Sequence, residues 1–518
     1  MKINKITALI VALLATISLS ATEKVKPTEI KIQNSEKWWG LAIDPANIPL
    51  PFEHPFEMNT ADHSPERYSA NMMLSNRGRY VWSAKPMKVV YDGKKLIVTP
   101  SEGEVVKVEK SGRTLREAYL MCCHKNFPPQ TSGINSTLFE SPIYELGGIE
   151  ALLYTASDVE KFANLITSKG APKGTILLPQ GWNSPSGAMT FDNEAYPDPK
   201  ALIDNLHSKG LKVMLTVTPY VMAAGRGYQL LRKEHRLMED GEGEPIVFQS
   251  RLGYTACRAL SDKEIARLNT ALKELQESYK VDGFYFDCLD ALSLIGDNPA
   301  KLFEFLGAWH KASEGIDVAI YSSPVGQQLG GVASSVSTTR DYTWESLAES
   351  LEIAIDASLF GFNRTCVAAD LNFEKQSPHL ILRTASLAAL LPVAIIPYAV
   401  WGLDESDTKA FCSLLKWRAE NGPYILSLAQ QSTTSAEPII RHLEYQFPRT
   451  GFTNAHDEFM IGPKWLVAPV VGDSGVRMVR LPKGRWKEIG SGRIIKGPRV
   501  IDVDVSDGKT PIYERIEN

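Results

Sequence analysis

Residues 281–287 read Val-Asp-Gly-Phe-Tyr-Phe-Asp, an almost uninterrupted apolar run that stops on a carboxylate. A run of this kind suits a parallel strand covered on both faces. Side chains alternate along a strand, so Val281, Gly283, Tyr285 and Asp287 share one face. In a closed barrel that face is the interior, and Asp287 stands at the C-terminal mouth, where (β/α)8 enzymes keep their chemistry. The competing reading is structural: an Asp at a strand end also caps the following turn.

The surrounding chain repeats this pattern. Strand-like runs at 149–154, 174–178, 211–217, 281–287, 317–322, 332–339, 365–369 and 393–398 are mostly followed by helix-patterned segments. Those segments lie at 157–168, 199–208, 262–279, 299–311, 344–358, 378–391 and 404–420, and a long irregular excursion separates residue 217 from 262. About eight strands over roughly 280 residues match a (β/α)8 TIM barrel better than an open doubly wound sheet. No glycine-rich phosphate loop follows the first strand, which counts against a nucleotide fold. Short strand-like runs with hairpin chemistry at Asp92-Gly93 precede the barrel, including one at 104–108. Similar runs follow it, with turn signals at Pro482-Lys483-Gly484 and Asp507-Gly508-Lys509. The expected α/β architecture is an N-terminal β-sandwich-like domain at 22–140, a barrel at 141–421 and a C-terminal β-domain at 422–518. A chain of 518 residues is indeed too long for a single core.

Residues 1–21 read as a cleavable export signal: Lys2 and Lys5, an apolar run, then small residues at Ser18, Ser20 and Ala21. No Cys lies near the cut, and no later run is long enough to span a bilayer, so an exported periplasmic or secreted protein is expected. The net charge of −4 and the lack of a basic stripe argue against a nucleic-acid partner. Six scattered cysteines form no C-x-x-C pair, so a metal site is not expected. Cys288 beside Asp287 reads as a packing residue.

Hydrolysis of a glycosidic bond usually takes two carboxylates, one on each side of the scissile bond. Asp287 is the first candidate. Asp341 is the second: it follows the run at 332–339 and precedes Thr343-Trp344 at a helix start. An N-cap is the alternative role for Asp341. Asp290, Glu345 and Asp370 are weaker candidates.

Several segments carry a resemblance. They include Ser75-Asn76-Arg77-Gly78-Arg79-Tyr80-Val81-Trp82, Lys125-Asn126-Phe127-Pro128-Pro129 and Tyr196-Pro197-Asp198-Pro199 followed by Leu206-His207. The strand ending on Asp287, the segment from Gly330-Gly331 through Arg340-Asp341 to Trp344, and Asp457-Glu458-Phe459-Met460-Ile461-Gly462 complete the set. In this order the chain resembles glycoside hydrolase family 31, the α-glucosidase, α-xylosidase and α-galactosidase family. The resemblance implies a carbohydrate substrate, no metal or organic cofactor, Asp287 as nucleophile and Asp341 as acid/base. It marks Gln180, Trp182, Tyr285, Asp290, Arg340, Trp344 and Asp370 as sugar-binding candidates, with Trp182 and Tyr285 as aromatic contacts. One departure stands out. Many members place acidic residues after the second barrel strand, and this chain has Leu178-Pro179-Gln180-Gly181-Trp182 there. Beside an α-glycosidase, a carbohydrate-binding homologue with a disabled site and a transglycosylase are compatible with the same residues.

Overall fold

The computed structural model describes residues 26–43, 48–61, 68–127, 134–147, 153–183, 189–250, 253–295, 299–323, 333–335, 343–366 and 376–516. The repeats close into a barrel of parallel strands: Ile143–Glu145 (β1), Thr175–Leu178 (β2), Lys212–Val217 (β3), Gly283–Phe286 (β4), Ala319–Tyr321 (β5), Ala333–Ser335 (β6), Thr365–Cys366 (β7) and Ile395–Ile396 (β8). Their order in the sheet is β7-β6-β5-β4-β3-β2-β1-β8. Across the remaining seam the Val393 N–H donates to the Thr365 carbonyl at 3.1 Å.

Alternation along the strands sorts the core into two layers. Ile143, Leu177, Met214, Val318 and Ile320 belong to the inner layer, and half-buried Tyr285 packs against it. Ile176, Leu178, Val213, Leu215, Phe284 and Phe286 face outward onto Phe162, Leu206, Leu272 and Trp309 of the surrounding helices. Gly283 is glycine because β5 passes close by: a Cβ there would stand 2.5 Å from Val318 Cγ1. The preceding Asp282 ties the strand to its neighbours, accepting from the Val213 N–H and bonding to His207 Nε2, both at 2.8 Å.

Helix starts follow the caps written in the sequence. Pro199–Ser208, Asp262–Tyr279 and Trp344–Ser358 begin after Asp198, Ser261 and Thr343, whose side chains accept N–H groups from Ala201, Glu264 and Ser346. Thr343 is thus the cap of its helix, the role weighed above for Asp341.

Two β-rich regions flank the barrel. The N-terminal one holds two four-stranded antiparallel sheets. The C-terminal one is a six-stranded antiparallel sheet dominated by the long hairpin of Val476–Glu488 and Ile494–Asp504. Helix Trp344–Ser358 packs against strand Trp38–Ile43 of the first and strand Ile440–His442 of the second.

Several sequence expectations need correction. The first barrel strand is Ile143–Glu145, not 149–154; residues 149–152 lie outside the described residues, and 153–154 are not strand. A three-residue strand is too short to dominate a periodicity window. Residues 104–108 are not strand; the short strand is Glu109–Lys110. Helix Leu115–Asn126 interrupts the N-terminal β-region, and its Thr114/Glu117 capping box was legible. A second unanticipated helix, Gly422–Ser435, precedes the C-terminal sheet. The excursion after β3 is ordered: it forms a three-stranded antiparallel sheet of Tyr220–Met222, Gly253–Cys257 and Val247–Ser250, with helix Arg226–Lys233. Buried Glu264 anchors this excursion by accepting from Arg258 Nη1 at 2.6 Å and Arg236 Nε at 2.8 Å. All six cysteines are buried and unpaired. Among the described residues no helix is long and apolar enough to cross a membrane. The leader at 1–21 lies outside the described residues.

Candidate active site

Asp287 is the first residue beyond β4, on the inward face set by Gly283 and Tyr285. Its own N–H donates to the Val217 carbonyl of β3 at 2.9 Å, which extends the parallel pairing to the rim. The side chain is 3% exposed. Its Oδ1 accepts the Leu289 N–H at 3.1 Å, and its Oδ2 accepts Gln180 Nε2 at 3.2 Å. The structural reading of Asp287 thus holds. The Leu289 contact caps the turn into helix Leu289–Ile295, and the same contact orients the carboxylate at the mouth.

Neighbouring residues hold this rim in place. Cys288 is buried, and its N–H donates to Ser322 Oγ beyond β5 at 3.0 Å. Burial pushes its thiol far above the usual range, so Cys288 is a packing residue. Tyr220, which opens the excursion after β3, accepts the Ala291 N–H on its hydroxyl at 2.9 Å. Burial raises the Tyr220 hydroxyl well above its ordinary value, and the nearby carboxylates of Asp287 and Asp290 add to this. Tyr220 was missed in the sequence because it follows β3 in a stretch with no helix or strand period. The only signal was Thr218-Pro219 ending the strand.

The sugar-binding candidates separate. Gln180 is brought to Asp287 across 107 residues of chain. Asp290 is half-buried in the first turn of helix Leu289–Ile295, beside Tyr220. Tyr285 points into the barrel. Trp344 opens its helix, half-buried against the inner core, and Glu345 is exposed in that helix's first turn. Trp182 corrects an expectation. It is 1% exposed, its indole N–H donates to the Thr216 carbonyl at 2.7 Å, and Phe191 packs edge-on at 5.1 Å. That is the geometry of a pin behind the rim, since both its polar atom and its ring are already engaged. Arg340, Asp341 and Asp370 lie outside the described residues.

Glu145 was not anticipated. It ends β1, shares the inward face with Ile143, and is half-buried. Misplacing the first strand hid it; its negative charge reaches Cys366 on β7.

Chemically, the rim offers an oriented carboxylate with a donor on each oxygen. Comparisons with known proteins bear on the fold and on the domains. A sequence model described as the glycosyl hydrolases family 31 TIM-barrel domain matches residues 142–305, and one for the glycosyl hydrolase family 31 C-terminal domain matches 436–517. An α-glucosidase of Saccharolobus solfataricus is 29% identical over 423 residues, covering 70% of this chain and 60% of its own length. An α-xylosidase of the same organism is 23% identical over 382 residues, covering 65% and 48%. The chain thus spans about half to three-fifths of these curated relatives. A crystal structure of an α-xylosidase from a soil metagenome, complexed with xylose, superposes with a TM-score of 0.74 at 17% identity, covering 94% of this chain and 79% of that one. That likeness speaks for the fold, and the two domains matched in order along the chain are both those of glycoside hydrolase family 31.

Proposed function

We propose that this chain is a retaining α-glycosidase. The observation that carries the reading is Asp287: inward at the barrel mouth, with each carboxylate oxygen held by a donor. Asp287 attacks the anomeric carbon and forms a covalent glycosyl-enzyme. Asp341 protonates the departing oxygen and then deprotonates the incoming water. A separation of about 5–5.5 Å between the two carboxyls is what this double displacement requires. The names of the two curated relatives support an α-linked substrate.

For the sugar, we infer that plain α-glucoside is not preferred. A carboxylate after the second strand would accept charge-assisted hydrogen bonds from sugar hydroxyls, each worth about 1.5–3 kcal/mol. Pro179 has no side-chain acceptor, and Gln180 spends its amide N–H on Asp287. α-Galactoside is the first choice, supported by a lean of the N-terminal segments and of those preceding the barrel; glucoside and xyloside, named by the relatives, are the competitors. The test is kcat/KM on matched aryl α-glucoside, α-galactoside and α-xyloside. A tenfold or greater preference for glucoside sinks the argument from Pro179 and Gln180. Tight sugar binding without turnover of any of the three would replace the enzyme by a binding homologue.

A further inference from the structure

On the far side of helix Trp344–Ser358, three side chains from two regions converge. Glu352 and Asp356 lie one turn apart on one face of the helix. His456 comes from the loop that leads into strand Phe459–Ile461 of the C-terminal sheet. One ligand atom from each of the three lies within 4.8 Å of the others, and His456 Nδ1 stands 3.7 Å from Glu352 Oε1, too long for a hydrogen bond. Two polar atoms of these side chains are buried without a partner. Asp356 is 1% exposed and its Oδ1 accepts nothing, and His456 Nδ1 is likewise unpartnered. A buried polar atom left this way costs about 1–3 kcal/mol and calls for an explanation.

We propose that Glu352, Asp356 and His456 bind a divalent transition-metal ion of the zinc class, which clips the barrel to the C-terminal β-domain. The donor set decides the class. Magnesium and calcium take oxygen ligands, whereas one imidazole with two carboxylates suits zinc, with water in the fourth position. Donors about 2.0–2.1 Å from a tetrahedral ion stand roughly 3.4 Å apart, so the three side chains need only small rotamer adjustments to close on it. Glu352 and His456 are 24% and 26% exposed, which leaves a path for the ion from solvent, while Asp356 forms the floor. Without an ion, burial and the Glu352 charge push the Asp356 carboxyl well above its usual range, and a dication would remove that penalty. The site is independent of the glycosidase reading. It lies on a helix capped by Thr343, two residues beyond Asp341, so the clip would hold the element that follows the candidate acid/base.

The test uses the full chain without a histidine tag, stripped with a chelator and titrated with Zn2+ against a chromophoric competitor. One Zn2+ per chain is expected. Asp356→Asn and His456→Gln should each weaken binding by more than about tenfold, at least what the loss of a supporting group costs. Co2+ loading should give tetrahedral visible absorption that both substitutions abolish. Glu352→Gln, partly exposed, serves if a buried substitution fails to fold. Absence of stoichiometric Zn2+ in the unmodified chain, or binding that survives these substitutions, overturns the proposal and leaves Glu352 and Asp356 as a proton-sharing acid pair.

Discussion

Two buried aspartates in this chain invite comparison. Asp287 at the barrel mouth is 3% exposed, and Asp356 at the junction with the C-terminal sheet is 1% exposed. Burial is therefore nearly equal, but the surroundings differ. The mouth supplies a backbone N–H and an amide side chain to Asp287. The junction supplies Asp356 with a second carboxylate, and its Oδ1 is left bare. A buried carboxylate that meets prearranged donors is oriented for chemistry at one face. A buried carboxyl facing another acid needs a proton or a cation.

The largest expected effect tests the first half of that contrast. Asp287→Asn keeps the shape and the Leu289 contact but removes the nucleophile, so kcat should fall by at least about ten-thousandfold on every aryl α-glycoside. Retention of even a hundredth of the activity would move the nucleophile elsewhere. Asp341→Ala should come next, with losses of about a hundred- to ten-thousandfold on poor leaving groups. Activated aryl substrates should suffer much less in the glycosylation step, and azide should rescue deglycosylation. Equal losses on both kinds of substrate, with no rescue, would remove Asp341 from the acid/base role.

A third substitution turns the mouth into a likeness of the junction. Gln180→Glu would put a second carboxylate within about 3 Å of Asp287, where like charges disfavour double ionisation. The acidic limb of kcat/KM against pH should move upward, with a loss of about ten- to a hundredfold at neutral pH that shrinks as pH rises. An unmoved pH profile would mean that Gln180 does not face the charge of Asp287 in solution.

The smallest effect concerns a neutral, half-buried base beside β5. His310 stacks on Tyr321 at 3.7 Å, and burial lowers its imidazole to about 4 from 6.5. The unfolded chain takes up this proton near its ordinary value, whereas the folded one does not. Stability should therefore be full above pH 6.5 and decline as pH falls towards 4. His310→Gln should flatten that decline by about 1–2 kcal/mol in denaturant titrations at the two pH values. Identical pH dependence in both proteins would place His310 in contact with water.

Sequence alone determined what depends on neighbours along the chain. Caps at Asp198, Ser261 and Thr343 set helix starts, because an N-cap is a contact between residues two or three apart. Strand parity placed Asp287 on the inward face, because a pleat has a period of two. The same local logic misplaced β1, where three residues are too few to show a period, and read Trp182 as open to a sugar. Only the closed tertiary structure decided the rest. It brought Gln180 to Asp287, turned Trp182 onto the Thr216 carbonyl, ended β1 on an inward Glu145, and set His456 against Glu352 and Asp356. Each of these contacts joins residues far apart in the chain, where barrel closure and domain packing, rather than any local period, set which atoms meet.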